Sequence, residues 1–155
     1  MAVFTHLNPE GSRFSDGHHG VYSASDTVET AIAEVVHHRS LFLSRTAEPA
    51  IDIDVRHVTA SLEADLHDLR ELRDQAPELH DADHYGAAQA LGRELRNARS
   101  WGIVYQSVSH AGGSCVGVFR PRALAAAKAT RHLALHWNGH RISHWYEKVT
   151  PKTMD

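Results

Sequence analysis

An α+β fold is predicted for this 155-residue chain by three observations. Some apolar stretches repeat with the 3.6-residue period of a helix, while others alternate or run as short β-branched segments. The two kinds do not alternate regularly along the chain, as a parallel β-α-β architecture requires. Turn signals close the later strands onto one another, which favours antiparallel pairing. The length predicts a single domain over residues 1–155, large enough to fold without disulfides or a structural metal.

The elements follow in order. Asn8-Pro9-Glu10-Gly11 and Asp16-Gly17 are turn signals that make residues 1–19 loop-like. Gly20-Val21-Tyr22-Ser23-Ala24 reads as a short strand. Asp26-Thr27-Val28-Glu29 has the form of a capping box, and the helix after it carries Ala31, Ile32, Val35, Val36 and Phe42 to about Ser44. Ile51, Ile53 and Val55 alternate with Asp52, Asp54 and Arg56 as a half-buried strand. Residues 62–83 are acidic, weakly periodic and interrupted by Pro77, which predicts turns and irregular structure. A second helix is expected from Asp83 or His84 to about Ala98, with Ala87, Ala88, Leu91 and Leu95 inward. Two strands, residues 102–108 and 115–119, flank a Gly112-Gly113 turn. Pro121 to Ala127 reads as a short helical connection, and residues 130–137 and 140–148 as a hairpin about Asn138-Gly139.

Composition excludes several classes of function. The net charge is −3, and Lys and Arg are interspersed with Asp and Glu, so no basic face for nucleic acid is expected. No apolar run approaches the roughly 18 residues of a membrane span. The first residues lack the basic start and apolar stretch of a signal peptide. Cys115 is the only cysteine, which rules out an intrachain disulfide and a cysteine-based zinc site. These features predict a cytoplasmic protein. The 14 histidines are the one oddity. His132, His136, His140 and His144 recur every four residues, but Asn138-Gly139 breaks any helix there, and strands leave them exposed or half-buried. Solvated histidines and no metal are expected.

The residues with chemical promise lie early. Gly11-Ser12-Arg13-Phe14-Ser15-Asp16-Gly17 brackets an arginine with glycines; Tyr22 lies on the first strand, and Glu34 on the apolar side of the first helix. A carboxylate there is costly unless it is paired or faces a cleft. Pattern alone also accommodates a surface glutamate, a loop arginine and, at Ser107, an ordinary strand serine, and it does not yield a reaction.

The glycine-bracketed arginine segment, then Gly20-Val21-Tyr22, then Glu29-Thr30-Ala31-Ile32-Ala33-Glu34-Val35-Val36-His37-His38-Arg39, resembles the N-terminal signature of RES-domain proteins. Gly102-Ile103-Val104-Tyr105-Gln106-Ser107-Val108 and Gly112-Gly113-Ser114-Cys115-Val116 resemble the later signature, in the same order, so the likeness spans roughly residues 4 to 146. The resemblance implies a fold related to ADP-ribosyltransferases and a toxin of a bacterial toxin–antitoxin pair that cleaves NAD by hydrolysis or phosphorolysis. Transfer of ADP-ribose to a host protein acceptor, and a catalytically weakened domain that mainly binds its antitoxin, are the alternatives. It implies Arg13, Tyr22, Glu34 and Ser107 as catalytic and NAD-binding residues. Arg13 would grip the pyrophosphate, Tyr22 stack on nicotinamide, and Glu34 stabilise the ribose cation or orient the nucleophile. For Ser107 a bond to Glu34, to the ribose and to the amide all stay open. NAD enters as substrate, and a cognate antitoxin is the implied partner. Two departures stand out: Tyr105-Gln106-Ser107-Val108-Ser109 replaces the Tyr-Pro-Ser-Val-Arg common in relatives, and no arginine precedes Arg13.

Overall fold

The computed structural model describes residues 11–149, and the loop expected over residues 1–10 lies outside them. Its elements, in order, are β1 (Tyr22–Ser25), α1 (Val28–Leu43), β2 (Ile51–Leu62), β3 (His67–Asp68), α2 (Gly86–Asn97), β4 (Gly102–Gln106), β5 (Ser114–Val118), β6 (Leu124–Trp137) and β7 (Ile142–Glu147). Short 3-10 turns occupy Arg70–Leu72, Pro77–His80 and Pro121–Ala123. The fold is α+β, with mostly antiparallel sheets.

The chain divides into two compact units, residues up to 34 with 62–125, and residues 35–61 with 126 onward. The first unit holds a four-stranded sheet in the order β1-β5-β4-β3. β5 runs antiparallel to both β1 and β4, and β3 adds a short parallel edge to β4. One face of this sheet packs on a core of Phe14, Leu69, Ala88, Ile103, Tyr105, Cys115 and Phe119, closed by Leu91 and Leu95 of α2. Gly92 lets α2 approach the loop before β1, because a Cβ there would collide with the Phe14 carbonyl. The second unit holds a three-stranded sheet, β2-β6-β7, with Leu133, Ala134, Leu135 and Trp137 buried.

Several expected elements shift. The cap of α1 is Thr27, not Asp26: Thr27 Oγ1 accepts the Thr30 amide at 3.2 Å. Asp26 instead extends the β1 ladder, exchanging bonds with Ser114 through its amide (3.0 Å) and its carboxylate (3.1 Å). The apolar stripe drawn for α1 is only partly inward. Ile32 is buried, but Val35 and Phe42 are 37% and 60% exposed, whereas Thr30 is fully buried. The connection read as helical over Pro121 to Ala127 makes one 3-10 turn and then becomes the start of β6. Sheet pairing overrides the helix propensity of its alanines, as tertiary context routinely does. The half-buried strand begun at Ile51 runs on to Leu62, and Asn138-Gly139 does join β6 to β7, with Asn138 Oδ1 accepting the His140 and Arg141 amides.

Candidate functional site

The loop before β1 folds back on itself. Ser12 and Ser15 exchange backbone hydrogen bonds of 2.7 and 3.2 Å, so Arg13 and Phe14 form the tip of a tight turn and both point into protein. Side chains of α2 hold the turn in place: Gln89 donates to the Ser12 carbonyl at 3.1 Å, and Arg93 pairs with Asp16 at 2.9 Å. Arg13 is only 9% exposed. Its Nη1 donates to the Asp81 carbonyl at 2.6 Å and weakly to that of Leu79 at 3.4 Å. Its guanidinium lies over the Tyr85 ring at 4.7 Å and near the Tyr105 ring at 5.9 Å. Asp81 shapes this seat through its side chain, which accepts the Asp83 and His84 amides at 2.8 and 2.9 Å. Those bonds hold its carboxyl below the usual range. A guanidinium has five donors in a rigid fork, and two carbonyls engage one nitrogen of it.

Glu34 sits on α1 one turn after Thr30, and Thr27, Thr30 and Glu34 share a helix face. Its Oε1 accepts the Ser107 hydroxyl at 2.6 Å, in the short range of charge-assisted bonds. Ser107 lies just past the end of β4, not within a strand, and is 2% exposed. Its oxygen accepts the Ser109 and His110 amides at 3.2 and 2.9 Å, and its own amide donates to the Gly113 carbonyl at 2.9 Å. Of the three roles open to Ser107, the structure displays the bond to Glu34. A hydroxyl that donates to a carboxylate and accepts two amides is saturated, so it positions the carboxylate and is not poised to attack.

Electrostatics tie these groups together. Burial pushes the Tyr85 phenol up, against the Arg13 charge and with that of Glu34. Burial, then Cys115 and Glu34, push the Tyr105 phenol well above its ordinary range. Burial also raises the Cys115 thiol; the Ser25 hydroxyl, 3.4 Å from its sulfur, opposes the rise and the Glu34 charge adds to it.

Three of the four residues singled out from the sequence therefore lie in one neighbourhood, with Glu34 and Ser107 in contact. Tyr22 is placed by its strand register. It pairs with Val118, at the opposite end of β1 from the Ser25–Cys115 pair. Side chains alternate along a strand, so Tyr22 faces away from Cys115 and Tyr105, while Val21 faces toward Phe14. The aromatic surface at Arg13 comes from Tyr85 and Tyr105 instead. Sequence reasoning quoted Tyr105 only as part of a motif and passed over Tyr85, whose only signal is its place just before α2. Thr30 stood only within a quoted motif, and His110 carried no signal. Among the described residues, no group of three or more His, Cys, Asp or Glu side chains is arranged to hold a metal. Nor is any helix there long and apolar enough to cross a membrane.

The RES domain pattern matches residues 1–138, across both units of the chain. The chain belongs to the RES domain family. A protein of Sinorhizobium fredii, described as uncharacterized protein y4oC, is 32% identical over 146 residues. That match takes in 94% of this chain but 60% of the relative, so the chain spans less than two thirds of that protein's length.

Proposed function

We propose that this RES domain is an NAD-consuming enzyme that breaks the bond between nicotinamide and ribose. The observation that carries the reading is the Glu34 carboxylate, half-buried and fixed by a buried serine whose oxygen is itself held by the Ser109 and His110 amides. Cleaving that bond develops positive charge on the ribose, and a carboxylate held before the reaction stabilises it without reorganising.

Arg13 supplies the second part. Among the described residues its guanidinium is seated by backbone carbonyls and aromatic faces and by no carboxylate, which would leave its positive charge available to a phosphate of the dinucleotide. Tyr85, half-buried beside it, offers a face on which a base or the nicotinamide ring can stack, the role first assigned to Tyr22. Membership of the RES family supports this reading and extends it to a toxin held in check by a cognate antitoxin in the cytoplasm. An antitoxin that inserts a carboxylate or a carbonyl at Arg13 would compete directly with NAD.

The test is to incubate the purified protein with NAD, with and without phosphate, and to identify the products. Release of nicotinamide is expected; NAD recovered intact under all conditions would end the proposal. Arg13→Lys keeps the charge but loses the planar fork, and calorimetric titration should show weaker NAD binding. Equal affinities would leave Arg13 with a purely structural role.

A further inference from the structure

His110 is held beside the Glu34–Ser107 pair by contacts that a surface histidine does not need. Its backbone amide donates to Ser107 Oγ, the same oxygen that bonds Glu34. Its ring Nδ1 lies 2.9 Å from Thr30 Oγ1. Thr30 is fully buried, one turn before Glu34 on the same helix face, and its hydroxyl lies 2.8 Å from that of Thr27. Gly113 makes room for the pair: a Cβ at that position would come within 2.5 Å of Thr30 Oγ1 and 3.0 Å of His110 Nδ1. The residue as a whole is nevertheless exposed. The ring is thus anchored through one nitrogen to the helix that carries the carboxylate. When Nδ1–H donates to Thr30 and Thr30 donates to Thr27, Nε2 keeps its lone pair.

We propose that His110 is the general base of this site, and that the acceptor it serves carries a proton to be removed, either water or a protein hydroxyl. The inference rests on the NAD-cleaving reading above. In the step, an acceptor O–H attacks the ribose carbon, and a C–O bond forms as the bond to nicotinamide breaks. The electron pair of that broken bond leaves with nicotinamide, which departs neutral. The proton of the acceptor passes to His110 Nε2 and then to solvent. A phosphate dianion attacks through an oxygen that is already ionised and has no use for such a base. Glu34 keeps its charge throughout and balances the ribose cation. Among the described residues, the other titratable and charged groups of this region include Asp26 and Glu34 around α1, His37 one turn after Glu34, Tyr105 on β4, Cys115 on β5, Tyr85, Asp81 and Asp83 before α2, and Arg13.

The experiment measures nicotinamide release from NAD by the full chain between pH 5.5 and 8.5, for the wild type, His110→Gln and Thr30→Val. Unchanged melting temperatures identify the variants that still fold. For the wild type, kcat is expected to fall along a one-proton limb as the pH is lowered, with the same products whether or not phosphate is present. His110→Gln should lower kcat roughly 100-fold, leave KM for NAD unchanged and abolish the limb. Thr30→Val, which cuts the anchor, should lower kcat by less and keep the limb. Wild-type kcat with the limb intact in His110→Gln would overturn the assignment, and phosphate appearing in the product would overturn the acceptor class. A wild-type protein that leaves NAD untouched at every pH would overturn the underlying function along with it.

Discussion

Two clusters in this protein combine a carboxylate with a hydroxyl and a histidine, and they differ mainly in what surrounds them. In the first, Glu34 is bonded by Ser107, whose oxygen also anchors the amides of Ser109 and His110, while the His110 ring reaches the buried Thr30. In the second, on the β2-β6-β7 sheet, Asp52 accepts from the Tyr146 hydroxyl at 2.6 Å and lies 2.7 Å from His136 Nδ1. The His136 ring stacks on His144 at 4.8 Å, and Lys148 pairs with the neighbouring Asp54. The second cluster has more charges and equally short bonds, yet every member is in contact with solvent. Water and ions screen such pairs, so short distances there carry little energy. In the first, the serine is sealed and the carboxylate half-sealed. The bonds to the Ser107 oxygen there are shielded from competing water.

The largest effect expected from this contrast is on catalysis. Glu34→Gln keeps the shape and removes the charge, and it should fold normally while losing roughly 100- to 1,000-fold in NAD turnover, the scale seen when one preorganised electrostatic group is removed. Near-wild-type turnover would dissolve the distinction between the two clusters. Ser107→Ala comes next, and it probes stability as well. It removes the donor to Glu34 and leaves the Ser109 and His110 amides without their acceptor, so a loss of about 2–4 kcal/mol in urea unfolding is expected. A change of a few tenths would mean that water already serves those groups.

How much of this was legible in the sequence depended on whether the signal was local. The two helices, the paired strands around Gly112-Gly113 and the Asn138-Gly139 turn follow from periodicity and turn chemistry, and their placement departs by only a few residues. Arg13, Glu34 and Ser107 came from a family likeness, and the structure explains why composition could not find them. Glu34 and Ser107 are 73 residues apart and meet only through the tertiary fold. The facing of Tyr22 is likewise a matter of tertiary pairing. A strand register puts it beside Val118 and away from Tyr105, and β1 and β5 pair across 90 residues of sequence with no hairpin turn to fix that register locally. Thr30 was invisible for the opposite reason. A threonine in a helix reads as neutral filler, and its value comes from a histidine 80 positions later.

Buried histidines sharpen the comparison through pH. His80 is 6% exposed, and among the described residues neither ring nitrogen makes a hydrogen bond of good geometry. Burial above all, helped by the Arg73 and Arg13 charges and opposed by the Ala76 backbone, holds its pKa below the ordinary 6.5. His19 shifts the same way, through burial and Arg96. The unfolded chain therefore takes up protons at a higher pH than the folded one. Their contribution to stability is complete above about pH 6.5 and is lost as the pH falls from there toward the depressed folded values. Thermal unfolding followed from pH 8 to pH 5 should show a falling midpoint, and His80→Phe should reduce the slope without abolishing it, since His19 remains. An unchanged slope would mean that His80 meets water in the folded state.

The smallest effect is expected where the contacts look most numerous. The Tyr146 hydroxyl, and then His136, hold the Asp52 carboxyl below its usual range, and an Asp with a depressed folded pKa adds stability that is present above its ordinary 3.8 and lost in acid below it. At neutral pH, however, the group is open to solvent, and replacing its water partners with Tyr146 and His136 gains little. Asp52→Asn keeps the shape and retains a carbonyl acceptor for the Tyr146 hydroxyl. It should shift the unfolding free energy by no more than about 0.5 kcal/mol. Whatever shift there is should shrink further in 0.5 M salt, because screening acts on exposed pairs first. The informative control is the same salt series on Ser107→Ala, whose deficit comes from unsatisfied buried amides and should persist. A salt-independent loss of 2 kcal/mol or more at Asp52 would show that the surface cluster is as tightly coupled to folding as the sealed one, and exposure would no longer explain the difference between them.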